Sequence, residues 1–323
     1  MFTHKDIENK TIFVINGTEN QKLQVKSGYL HLLDTSENKT VTKFPFPKIL
    51  FLIVIGHTSI TTALIERCNK YKVPIVVMKP NFRSVYYFGN FAEANFLLRR
   101  HQCLQPKFRI DLAQHFVKNK FVNQLGLLEK TRKKDELTVS AQNYLKSAVE
   151  VSGNSESITE LMTLEGRVAK LFFKAYFSEF DWHGRKPRVK IDPYNSSLDI
   201  GYTFLFNFIE NMCRLFGFDL YVGVYHQLWF KRKSLVCDFM EPFRCIIDHT
   251  MRKAFNYGTF QEKDFVKRNN AYYLKYSMNS KYTKEFYTTI IGRKMEIFIY
   301  IQRYYRAFMS GKSIESFPVF IYK

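Results

Sequence analysis

Three places in the chain carry side chains of the types that handle metals and phosphates. The first is Glu165, in Leu161-Met162-Thr163-Leu164-Glu165-Gly166-Arg167-Val168. Leu161, Leu164, Val168, Leu171, Phe172 and Ala175 recur at helical spacing, and Glu165 falls on the same apolar face. A carboxylate there is costly unless a cation meets it, either a metal or an Arg or Lys. The second is His226, which follows an apolar segment broken by Gly223 and reads either as a ligand or as a satisfied core or surface histidine. The third is Asp238-Phe239-Met240-Glu241-Pro242-Phe243-Arg244. Pro242 suits a first helical turn, where its missing N–H costs nothing, so Asp238 is expected near the N-cap. It is then a plain cap, or it forms with Glu241 an oxygen-rich corner for a hard divalent ion. One Glu, one His and one Asp with an adjacent Glu make a mixed oxygen–nitrogen donor set. Such a set suits Mg2+ or Mn2+ better than Zn2+, because no thiolate takes part. In a strongly basic chain the economical use of that ion is phosphodiester chemistry.

The elements that must position these residues fall into two groups. Up to about residue 80 the pattern is mainly strands: Thr11–Asn16, a partly alternating Leu23–Leu33, the continuous apolar run Lys48–Ile55, and Val73–Met78. A helix with Ser59 as N-cap is expected between the last two. A linker is expected near 80–92. Beyond it, apolar stripes of period 3.6 predict helices over Ala92–His101, Ile110–Leu127, Leu137–Val151, Ser157–Phe180, Tyr202–Leu215, Phe239–Phe255 and Lys294–Met309, with a loop over Phe180–Asp199. The expected fold is α+β: a β-rich N-terminal domain over 1–85 and a larger all-α domain over 86–323.

Composition narrows the function classes. The 323 residues suggest two domains at roughly 150 residues each. Hydrophobic residues at 46% exclude general disorder, and 14 Gly with 9 Pro exclude a collagen-like chain. The net charge of +20 favours a polyanionic partner. It is not one basic tail, since residues 1–90 hold 12 basic and 6 acidic side chains and the rest hold 37 and 23. The longest apolar run, Ile49–Ile55, is far short of the ~20 residues that span a bilayer. Lys5, Asp6, Glu8 and Lys10 interrupt any signal-peptide core. The five cysteines form no CxxC pair and read as reduced thiols of a cytoplasmic protein.

The ordered motifs LEGRVAK, NSSLDIGYTFL, GVYHQ and LVCDFMEPFR, preceded by GHTSITTALIERCNKYKVPIVVM and ANFLLRRHQ, resemble the CRISPR-associated spacer-acquisition integrase, the larger subunit of the adaptation complex. The resemblance covers nearly the whole chain. It implies that Glu165, His226 and Asp238 are metal ligands for Mg2+ or Mn2+. Glu241 and Arg244 would be accompanying motif residues, and Asn195, Gly201 and Tyr202 the signature near the site. Asp199 stands where the family commonly has Asn, and Cys245 where Pro often follows the Arg. The implied reaction is attack of a DNA 3′-hydroxyl on a phosphodiester at a CRISPR repeat boundary, with accompanying endonuclease activity, in a prokaryotic cytoplasm. The implied partners are prespacer and leader-repeat DNA, a second copy joined through the N-terminal domains, and a small ferredoxin-like subunit in a four-plus-two assembly.

DNA contacts then fall to basic residues. Lys186, Arg188 and Lys190 lie between Glu165 and His226, and Lys231, Arg232 and Lys233 lie between His226 and Asp238, so both clusters adjoin the expected ligands. Arg99, Arg100, Lys107, Arg109, Lys118 and Lys120 form a third group. Two rivals remain at this level: a nonenzymatic nucleic-acid-binding protein, and a metal-dependent repair nuclease with water as nucleophile.

Overall fold

A computed structural model describes residues 3–17, 20–89, 92, 95–104, 109–132 and 134–323. A short helix α1 (His4–Asn9) precedes strands β1 (Thr11–Gly17), β2 (Gln21–Lys26), β3 (Tyr29–Asp34), β4 (Lys39–Pro45), β5 (Ile49–Gly56) and β6 (Ser59–Ile60). Helix α2 (Thr62–Lys70), β7 (Ile75–Met78) and β8 (Ser84–Phe88) follow. The helical part comprises α3 (Phe96–Leu104), α4 (Ile110–Glu129), α5 (Glu136–Val151), α6 (Ile158–Tyr176), α7 (Pro193–Phe216), α8 (Ser234–Met240) and α9 (Arg244–Asn256). A hairpin of β9 (Phe265–Arg268) and β10 (Ala271–Leu274) leads to α10 (Asn279–Gly292) and α11 (Lys294–Met309). The α+β class expected from the sequence is the one observed.

The strands make two four-stranded sheets, ordered β1-β5-β7-β8 and β4-β3-β2-β6. Strand β5 is apolar throughout because each of its faces meets a core. Phe51, Ile53 and Ile55 enter the large core shared with the helices, whereas Leu52 and Val54 enter a smaller core between the sheets. Phe51 meets Phe208 of α7 edge-on at 6.1 Å. Where a linker was expected, β8 instead pairs antiparallel with β7, and Arg214 of α7 lies 4.2 Å from the Tyr87 ring. Helix α2 is capped by Thr61, not Ser59, because Ser59 and Ile60 pair with β2.

Helix α7 begins nine residues before the expected start, at Pro193. Asp192 caps it by accepting the Asn195 N–H at 2.6 Å, and Gly217, at φ +84°, ends it where a Cβ would lie 2.4 Å from the Ala92 carbonyl. The segment expected as one helix over Phe239–Phe255 is two, α8 and α9, separated by a 3-10 turn at Glu241–Phe243 that contains Pro242. Asp238 is therefore inside α8, not at an N-cap.

Candidate active site

Helices α4 and α6 pack side by side, and each carries one charged residue in an apolar stripe. Lys120 sits one turn from Phe116 and Val117 on α4, as Glu165 sits one turn from Leu161 on α6. The two meet: the Lys120 ammonium donates to Glu165 Oε1 and lies 2.7 Å from Glu241 Oε2. One turn along α4, Asn123 Nδ2 donates to the Pro242 carbonyl at 3.1 Å, which ties the turn bearing Glu241 to the helix bearing Lys120. The Arg244 Nε–H donates to the same Glu241 Oε2 at 2.9 Å. Burial opposes the charge on Glu241, but the Arg244 guanidinium and the Lys120 ammonium outweigh it and hold the carboxyl well below its usual range. Burial also opposes the Lys120 ammonium, and Glu165 and Glu241 overcome it to raise its pKa. The other oxygen of Glu165 accepts from the Tyr225 hydroxyl, which burial and the Glu165 charge keep protonated.

The segment before α8 is held by Asp238. Its Oδ2 accepts the Val224 N–H at 2.6 Å and the Tyr225 N–H at 3.2 Å, and its Oδ1 accepts the His226 N–H at 2.9 Å. His226 Nδ1 stands 2.7 Å from the same Oδ1. An acceptor carboxylate at Nδ1 puts a ring proton there and turns the Nε2 edge away from Asp238. Nε2 faces Glu241 Oε1 at 4.0 Å. The fit depends on Gly223, where a Cβ would lie 2.6 Å from Asp238 Oδ2 and 2.9 Å from the Ser234 backbone. Asp238 is fully buried, and four donors fill both its oxygens.

The structure thus brings His226 and Asp238 into contact and connects Glu165 to them through Lys120 and Glu241 and through Tyr225. Among the described residues, no three His, Cys, Asp or Glu side chains surround a common point. The cation between the carboxylates is Lys120. The sequence reading placed Lys120 with the phosphate-contacting residues, but it is buried and ion-paired.

The signature residues form a second layer beneath Arg244. The Tyr202 ring is met by the Arg244 guanidinium, 4.8 Å away, and by that of Arg185, 5.4 Å away. Its hydroxyl donates to Asp248 Oδ1, while Asp248 Oδ2 is buried without a hydrogen-bond partner. Burial raises the Asp248 carboxyl to about 6, against the opposing Tyr202 hydrogen bond and nearby cations. Asn195 Oδ1 accepts from Arg185 and from the Lys186 N–H at 3.0 Å, and Asp199 accepts from Arg185 at 2.6 Å and from the Arg188 N–H at 2.9 Å. Asn195 and Asp199 therefore shape the loop that carries Lys186, Arg188 and Lys190. Gly201 packs so closely on Ile247 that a Cβ would lie 2.5 Å from its Cγ2.

Of the expected phosphate-contacting residues, Lys186, Arg188, Lys231, Arg100 and Lys118 are exposed. Lys190 is half-buried, with its ammonium 4.5 Å from the Tyr273 ring, and Arg232 is also half-buried. Lys233 holds both Glu210 oxygens at 2.6 Å, Arg109 pairs with Asp111, and Arg99 donates to the Gly217 carbonyl at 3.2 Å. Lys107 lies outside the described residues. All five cysteines are free, and no helix among the described residues is long and apolar enough to cross a membrane.

Known proteins share this arrangement of two sheets on a helical body. The family model described as CRISPR associated protein Cas1 matches residues 15–288. A CRISPR-associated endonuclease Cas1 of Thermus thermophilus is 29% identical over 253 residues, 75% of this chain and 74% of the relative. One from Thermodesulfovibrio yellowstonii is 25% identical over 260 residues, 76% of this chain and 82% of the relative. Among solved structures, a Cas1 protein from Thermotoga maritima superposes with a TM-score of 0.78 at 18% identity, covering 94% of this chain and 98% of the other. A casposase bound to integration product gives 0.76 at 20% identity, with 94% and 91% covered. The Cas6-RT-Cas1–Cas2 complex gives 0.80 at 19% identity, with 97% of this chain but 36% of that chain covered. The fold is thus of the class common to Cas1 proteins and a casposase. This chain belongs to the CRISPR-associated Cas1 family.

Proposed function

We propose that this chain is a divalent-metal-dependent DNA integrase of CRISPR adaptation. It joins prespacer 3′-hydroxyl ends to the CRISPR repeat by transesterification and also has endonuclease activity. The observation that carries this reading is the network Glu165–Lys120–Glu241–His226–Asp238, in which two carboxylates already hold a positive charge beside the Nε2 edge of an imidazole.

The donor chemistry suits a hard divalent ion once the Lys120 ammonium gives way between the two carboxylates, with one change from the sequence reading. Glu165, Glu241 and His226 Nε2 are the groups that would hold it. Asp238 has its oxygens filled by four donors, so its role is to fix the proton and orientation of His226. When bound, Mg2+ or Mn2+ supplies Lewis-acid stabilisation of the charge on the transferring phosphate. The nucleophile comes from DNA, so no activated protein Ser or Cys is needed. Arg244, fixed by Glu241 and the Tyr202 ring, keeps a positive charge beside the site. Lys186, Arg188, Lys231 and Arg232 flank it as phosphate contacts. A homodimer formed through the N-terminal sheets and a small Cas2-type partner complete the proposal. The similarity of fold to the Cas6-RT-Cas1–Cas2 complex supports the partner.

The test is incubation of the purified protein with end-labelled DNA bearing a 3′-hydroxyl and a plasmid carrying a repeat, in Mg2+ or Mn2+. Labelled strands joined to the plasmid, and absent with E165A, are the expected result. Free ends without joined strands would point to a hydrolytic repair nuclease, and DNA binding without any strand chemistry would overturn the enzyme reading.

A further inference from the structure

Residues 317–323 form a strap along α4 that is neither helix nor strand. Phe320 and Tyr322 turn inward and are buried, whereas Val319 and Ile321 are exposed, the alternation of extended backbone. An extended segment lying on a helix has no neighbouring strand to satisfy its inward N–H and C=O groups. Two buried asparagines of α4 do so instead. Asn119 Nδ2 donates to the Phe320 carbonyl at 2.6 Å, and the Phe320 N–H donates to Asn119 Oδ1 at 2.9 Å. Asn123 Nδ2 donates to the same carbonyl at 2.9 Å, and the Tyr322 N–H donates to Asn123 Oδ1 at 2.8 Å. His115 Nε2 stands 2.8 Å from the Pro318 carbonyl, so His115, Asn119 and Asn123 make one line at four-residue spacing along the helix.

An apolar line would hold inward aromatic rings as well, without the cost of burying amides. What the amides add is register, because they accept and donate at one alignment of the strap only. Register matters at Phe320. Its ring lies 4.5 Å from that of Phe243, the last residue of the turn that carries Glu241. Asn123 Nδ2 also holds the Pro242 carbonyl of that turn at 3.1 Å. One asparagine thus fixes both the strap and the turn, three residues from Lys120, whose ammonium meets Glu241 at 2.7 Å. We propose that Asn123 is a positioning residue for the reaction: together with Phe320 of the strap it sets the turn that aims Glu241 at the divalent ion. The role rests on the metal-dependent reading of the site and names what holds one of its carboxylates in place.

The test measures Mn2+ binding to the full chain, without DNA, by the electron paramagnetic resonance signal of the free ion. Asn123→Leu keeps the bulk and removes the amide, and Phe320→Leu draws the ring back from Phe243. Leu30→Ala, in the smaller core between the sheets, loses stability without touching the turn. The expected result is roughly tenfold weaker Mn2+ binding in N123L, a loss in the same direction in F320L, and parent affinity in L30A. In joining assays the half-saturating Mn2+ concentration should rise in step, while the rate at saturating Mn2+ returns toward that of the parent. If N123L does not fold, F320L decides alone. Parent affinity in the folded turn variants, or an equal loss in L30A, would overturn the positioning role and leave the metal reading intact. A parent protein with no Mn2+ site sensitive to E165A would overturn the metal reading and the role with it.

Discussion

His226 and Asp238 are joined twice through one oxygen: Asp238 Oδ1 accepts the His226 backbone N–H at 2.9 Å and stands 2.7 Å from its Nδ1. Main chain and ring are thus oriented by a single buried carboxylate that reaches from α8 into the preceding loop. Asp238→Asn places an amide where the carboxylate accepts four donors. Strand-transfer activity is expected to fall by about 10- to 100-fold, the scale of losing the group that orients a metal-bound histidine. The 15N shifts of the His226 ring should report the lost tautomer preference, and unchanged activity would return Asp238 to a purely structural role.

Lys120 keeps Glu165 and Glu241 apart as charges, so Lys120→Met leaves two carboxylates facing each other in a buried place. Removing one partner of such a network costs about 3–5 kcal/mol. Denaturant melts should show that loss, and added Mg2+ or Mn2+ should recover more of it than the parent gains, because the ammonium no longer competes for the same oxygens. A variant as stable as the parent in chelator would show that the ion pair carries no net weight.

Asp248 is raised to about 6 by burial, with one oxygen unpartnered. Folding therefore favours its protonated form, and the cost of ionising it grows as pH rises from about 4 to about 6 and is constant above. Asp248→Asn keeps an acceptor for the Tyr202 hydroxyl and removes that cost. Its stability relative to the parent should rise across this window and settle at a gain of roughly 1–3 kcal/mol at neutral pH. Equal stabilities at pH 4.5 and 7.5, measured by urea unfolding, would contradict the assignment.

Gly223 leaves room for Asp238 Oδ2 and the Ser234 backbone. Gly223→Ala should cost about 1–3 kcal/mol by overpacking and loosen His226, lowering joining activity more than DNA binding. Comparing the two by gel shift and product assay checks the split; a parallel fall in both would mean a general loss of fold.

The sequence carries much of this design because burial leaves periodic marks. The apolar run of β5, the stripe of α6 and the misplaced Glu165 can all be seen without coordinates. Lys120 carries the same mark within the stripe of Phe116, Val117 and Leu127, but a net positive chain makes any lysine look like a phosphate contact. Asp192-Pro193 is a helix start by cap and ring chemistry, yet Gly184, Pro187 and Pro193 together read as a loop. The division of labour between Asp238 and Glu241 depends on which backbone amides lie opposite α8, and these belong to a loop with no periodicity to betray them. The hairpin β9–β10 and α10 were not anticipated, and Asn269-Asn270 is the turn signal that could have found the hairpin.

Strand β5 contributes alternate side chains to two cores, with Phe51 against Phe208 on one side and Leu52 and Val54 on the other. Excising residues 86–323 would take Phe51 away from Phe208 on α7, because sheet and helix share that stretch of core. A tug on the N-terminal sheet would be felt by α7, the helix that ends in the loop leading to His226.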